Sequence, residues 1–107
     1  MKTKSHITRS SGNVFADLGL PEADEHLLKA NVAAHLGRLI NKHGLTQAAA
    51  AVKLGIKQPD VSRILRGQLS GYSLTRLFTL VRALGNDVEI KFKPARNAKA
   101  GRILMSA

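Results

Sequence analysis

The 107 residues leave room for one domain around one core. With 17 Lys/Arg against 7 Asp/Glu the formal charge is +10, and the lack of cysteine excludes a disulfide framework or a thiolate metal site, which fits a cytoplasmic protein. No apolar run approaches the roughly 20 residues of a membrane span, the polar N-terminus does not resemble a signal peptide, and aromatics at 4% predict an aliphatic, helix-packed core.

Residues 1–13 are polar, contain Lys2, Lys4 and Arg9, and show no periodicity. They are expected to be disordered, either as a basic arm along phosphates or as a plain loose terminus. Val14, Phe15, Leu18 and Leu20 form a short apolar cluster, expected to fold back on the next helix or onto a partner protein. That helix opens at Pro21 or Glu22, since proline suits a first turn and acidic residues suit the positive end of the dipole. Leu28, Val32, Leu36, Leu39 and Ile40 recur at three- and four-residue spacing, with Ala33 beside them. The pattern ends near His43, with Gly44 as the closing glycine.

Residues 45–67, LTQAAAAVKLGIKQPDVSRILRG, read as two short helices joined by a tight turn. Thr46 suits an N-cap, the alanines at 48–51 favour helix, and Gly55 can take the left-handed conformation that ends it. The second helix starts near Gln58, tolerates Pro59 in its first turn, and runs to about Arg66 before Gly67. At about 100° per residue, Val61, Ile64 and Leu65 share an apolar stripe, joined by Ile56 from the turn. Pro59, Ser62, Arg63 and Arg66 point away, flanked by Gln58 and Asp60. A helix-turn-helix that reads the major groove of DNA needs that layout.

Gly71 marks a turn in QLSGYS, and Ser73 is a fitting N-cap for a further helix with Leu74, Leu77, Phe78, Val81 and Leu84 on its buried side. Gly85 closes it and Asn86-Asp87 turns the chain. In residues 88–93, VEIKFK, Val88, Ile90 and Phe92 alternate with charged residues, the period of a half-buried strand that Pro94 terminates. A lone strand leaves its edges unpaired, so pairing with the same strand of a second copy about a two-fold axis is expected. A hairpin with residues 101–105 is the rival arrangement.

The charge is uneven. From Thr46 onward there are eleven Lys/Arg against three Asp/Glu, whereas residues 14–45 carry three against four. One surface of the fold is therefore expected to face a polyanion. His6, His26, His35 and His43 lack the close spacing of a helical metal site. No Gly-rich phosphate loop, serine elbow or supported carboxylate pair is present, so neither catalysis nor a cofactor is expected.

LTQ, Ala51, Gly55-Ile56, Val61-Ser62-Arg63-Ile64 and Arg66-Gly67 match the spacing of the Cro/C1-type (XRE) helix-turn-helix family, which the chain resembles. NVFADLGLP, QPDVSRILRG, YSLTRL and ALGNDVEIKF further resemble the HigA-like antitoxins of bacterial toxin–antitoxin pairs. The resemblance implies a lambda-repressor-like bundle of about four to five helices. It also implies a homodimer that represses from a palindromic operator and silences a small RelE/HigB-like ribonuclease toxin. Ala48 and Ala49 stand where such domains often carry acidic residues, and Lys57 where Ser or Thr often caps the recognition helix.

Carried over onto this chain, the family's pattern puts Gln47 on a phosphate at the start of the first short helix. Gln58 falls where glutamine pairs with adenine N6 and N7. Pro59, Asp60, Ser62 and Arg63 line the groove-facing surface, with Arg63 on guanine or a phosphate. Asp60 either caps free amides or accepts from cytosine N4. Lys57, Arg66, Ser73 and Arg76 are backbone clamps, Ser73 because a helix N-terminus favours an anion. Arg66 has the alternative of snorkelling over a helix interface.

The expected protein is thus a mainly α, dimeric, DNA-binding repressor. It comprises a basic arm (1–13), a helical domain (14–86) and a dimerising strand with a basic tail (87–107). Alternatives are an orphan or prophage regulator without a toxin, or a toxin-binding module that does not read DNA.

Overall fold

The computed structural model describes residues 22–95, 101 and 103–105, with side chains from Asp24 onward. The arm and the Val14 to Leu20 cluster lie outside the described residues. Four helices are described: α1 (Glu22–Lys42), α2 (Gln47–Leu54), α3 (Gln58–Leu65) and α4 (Leu74–Ala83). The long helix α1 packs chiefly against α4, and α2 packs against α3.

The expected caps form. Thr46 Oγ1 accepts from the Ala49 amide at 3.1 Å, and Ser73 Oγ from the Arg76 amide at 3.1 Å. At the turn between α2 and α3, Gly55 sits at φ 73°. There the Ile56 amide reaches back to the Ala51 carbonyl at 3.1 Å and the Gly55 amide to Val52 at 3.3 Å. This pairing satisfies carbonyls that the end of α2 would leave open, and it needs a residue without a Cβ at the left-handed position. The same pattern recurs after α3, where the Gln68 amide bonds the Arg63 carbonyl at 2.9 Å past Gly67.

The stripe of α1 is buried as its period predicts, and Val61, Ile64, Leu77 and Leu80 close over it. Leu69 and Tyr72, from the loop between α3 and α4, are also core residues. Leu65 departs from expectation: it is 36% exposed, because its 100° offset from Ile64 carries it to the rim of the stripe. There its Cδ2 lies 3.3 Å from where a Cβ on Gly37 of α1 would stand.

The strand expected over 88–93 is not formed. No backbone group from 86 to 95 bonds another described backbone group, and the hairpin with 101–105 is likewise absent among the described residues. Val88 is half-buried against the core, whereas Ile90 and Phe92 are 49% and 68% exposed. Alternation tells which side of an extended segment wants cover; a strand also needs a second backbone to pair with. From the tail, Met105 packs half-buried near Asn31, Ala34 and Arg38 of α1.

Leu77 is fully buried and Val52 is 84% exposed. Leu77→Ala should therefore destabilise the domain by about 2–5 kcal/mol in urea unfolding. Val52→Ala should stay within about 0.5 kcal/mol.

Candidate nucleic-acid interface

Helix α3 is short, and its inward side is fixed by Val61 and Ile64, both almost fully buried. Its outward side follows from that rotation. Gln58, Pro59 and Arg63 are exposed and Ser62 is half-buried beside them. Lys57 is the N-cap residue, extended at φ −82° and ψ 150°, and makes no side-chain cap bond. The poor cap read from the sequence is therefore real, and its exposed ammonium is free for an anion.

Asp60 does not cap the helix, contrary to one of its two expected roles. Its Oδ1 accepts from the Tyr72 hydroxyl at 2.7 Å and from Arg63 Nη2 at 2.7 Å. The Arg76 guanidinium lies over the Tyr72 ring, 5.2 Å from its centroid, within range of a cation–π attraction. Four side chains from α3, the following loop and α4 thus form one connected cluster.

The Asp60 carboxyl is held below its ordinary pKa, first by the Tyr72 hydroxyl, then by the Arg63 hydrogen bond, with smaller help from the Arg63 and Arg76 charges against some loss of solvent. A carboxyl lowered on folding stabilises above its unfolded value, and that contribution fades as pH falls through the folded one. The cluster is consequently intact at neutral pH and loosens only in acid. The Asp60–Arg63 pair is solvent-accessible and three residues apart, so its value lies in holding geometry more than in stability.

The remaining expected contacts are dispersed. Gln47 is exposed as the first residue of α2. The Ser73 hydroxyl is committed to capping α4, which leaves that helix's outer amides as its anion-attracting element. Arg66 is exposed at the end of α3 and borders a groove of about 550 Å³ beside Gly37, Arg38 and Asn41 of α1. Among the expected dimer contacts, Val88 is turned partly into the core and only Ile90 and Phe92 stand clear.

Tyr72 is the member of this cluster that sequence reasoning overlooked. It is the chain's only tyrosine, one residue before an N-cap, and its ring is buried. A buried tyrosine must still satisfy its hydroxyl, so an acceptor nearby was to be expected. Nothing in the sequence alone pointed to Asp60, twelve residues earlier.

Among the described residues, no group of His, Asp and Glu has the arrangement of a metal site, and no helix is long and apolar enough to cross a membrane. No curated protein matches the chain. Residues 14–93 match the family described as helix-turn-helix domain. A solved structure described as an XRE family transcriptional regulator is 42% identical, with a TM-score of 0.77 over 81% of this chain and 99% of that one. This chain belongs to the XRE family of helix-turn-helix transcriptional regulators.

Proposed function

We propose that the chain is a homodimeric, operator-binding repressor that lays α3 in the major groove, and that it is the antitoxin of a toxin–antitoxin operon. The observation that carries the DNA-reading part is the division of α3 into a buried side, Val61 and Ile64, and an exposed polar side. Gln58 pairs with adenine and Arg63 with guanine, while Pro59 and Ser62 fill the surface between them. Gln47, Lys57, Arg66, Arg76 and the Ser73-capped start of α4 hold phosphates. A charge of +10 supplies the attraction.

Dimerisation rests on the exposed Ile90 and Phe92 and on the unpaired backbone around them. Two copies joined edge to edge there would complete the ladder that one chain lacks. A two-fold dimer sets its recognition helices about 34 Å apart, one turn of DNA, and so requires a palindromic site. The antitoxin role is supported by the resemblance of the segments around 13–21 and 58–93 to HigA-like antitoxins. Exposed Asp24, with Glu25 beside it near the start of α1, offers a surface that suits a basic ribonuclease in the cytoplasm.

Footprinting on the chain's own promoter should show a palindrome. Gln58→Ala and Arg63→Ala should each weaken that site on the order of tenfold or more against unrelated DNA. Lys57→Ala should weaken all sequences alike and lower the salt slope by about 1. Unchanged specificity in the Gln58→Ala, Arg63→Ala double variant would remove α3 from the groove. In sedimentation, Ile90→Glu should convert dimers to monomers, and dimers that persist would rule out this edge as the interface. Co-expression with the neighbouring reading frame should relieve its toxicity and yield a co-purifying complex. An innocuous neighbour that does not bind would leave a regulator without a toxin.

A further inference from the structure

We propose that Tyr72 is a positioning residue for base recognition, and that it holds Asp60 and Arg63 as one unit that reads a G·C pair. This rests on the reading of α3 as the groove-facing helix.

Tyr72 is only 5% exposed, so its ring is a fixed post and its hydroxyl has one place to go. That place is Asp60 Oδ1, the atom that also accepts from Arg63 Nη2, each at 2.7 Å. Both bonds are short and charge-assisted, the stronger kind. Because a single oxygen takes both donors, no described residue bonds Oδ2. Arg63 likewise has further N–H groups beyond the one given to Asp60. The unit therefore presents a fork of donors and, beside it, a carboxylate acceptor.

The chemistry of that surface selects its ligand. A phosphate would accept from Arg63 but be repelled by Asp60. In the major groove a G·C pair offers two acceptors, guanine O6 and N7, next to the cytosine N4 donor. Donors of Arg63 on guanine with Asp60 Oδ2 on cytosine complement that pattern. Arg76, over the Tyr72 ring, adds a cation that helps to keep Asp60 ionised. Without the Tyr72 hydroxyl the carboxylate loses its fixed anchor, and Arg63 is released to swing toward phosphates. Base preference would then fall while general affinity stays.

The test uses the full chain and binding-site selection from randomised duplexes, followed by affinities for the selected site and its single-pair variants. Wild type should select a G·C pair at one position in each half-site. Replacing that pair by A·T should cost wild type on the order of tenfold or more. Tyr72→Phe, which keeps the ring under Arg76, should lose most of that penalty at this position alone, with the salt slope and non-specific binding unchanged. In an Arg63→Ala background its effect should shrink, because only the Asp60 contact to cytosine is then left to misplace. Asp60→Asn should lose the penalty as well, through its own cytosine contact; should Tyr72→Phe prove unfolded by thermal melting, Tyr72→His, which keeps an aromatic ring but removes the hydroxyl, carries the test of the post. A Tyr72→Phe or Asp60→Asn protein with the wild-type preference would overturn the proposal. So would a uniform loss of affinity at all sequences, which marks a merely structural tyrosine. If wild type selects no sequence, the DNA-reading function itself fails, and this inference with it.

Discussion

Burying Val61 and Ile64 fixes the rotation of α3 about its own axis, and the outward presentation of every other side chain on that helix follows from it. Eight residues make too short a helix to persist alone in water, so tertiary packing rather than propensity maintains it. The N-terminal end is the weaker one, since Lys57 leaves its first amides without a side-chain partner. The hydrogen bond from Tyr72 to Asp60 offsets this, tying the first turn to the loop that leads into α4. Packing sets the rotation and one polar contact sets the anchorage.

Charge works on a different scale from this local geometry. The basic excess from Thr46 onward draws any polyanion toward that half of the chain without regard to sequence. Within it Asp60 is the one acidic side chain on α3, and it is held by neighbours instead of being left to oppose the field. A long-range attraction with a locally balanced centre is a sensible division of labour for a protein that must first find DNA and then discriminate along it.

Helix positions and capping residues were legible in the sequence because they depend on local chemistry. Thr46, Gly55 and Ser73 act within three or four residues of themselves, and the α1 stripe follows from a period of 3.6. The surface of α3 was also readable, apart from Leu65, which lies on the edge where face arithmetic is least decisive. What the sequence withheld was non-local. The alternation at 88–93 describes one side of an extended segment but does not provide a partner backbone. The bond between Asp60 and Tyr72 spans a loop whose path no periodicity encodes. Leu69 was missed as a core residue for the same reason, since a single apolar residue between two turns has no pattern to belong to.

The near contact at Gly37 bears on how freely this family of surfaces can vary. The atom that would meet a methyl there is the far end of Leu65, an exterior side chain that can rotate into solvent. One residue earlier Ile64 is sealed into the core and has no such slack. Changes on this part of α1 are therefore absorbed at the rim before they can turn the helix that carries Gln58 and Arg63. The scaffold can drift at that point while what it presents to a ligand stays in register.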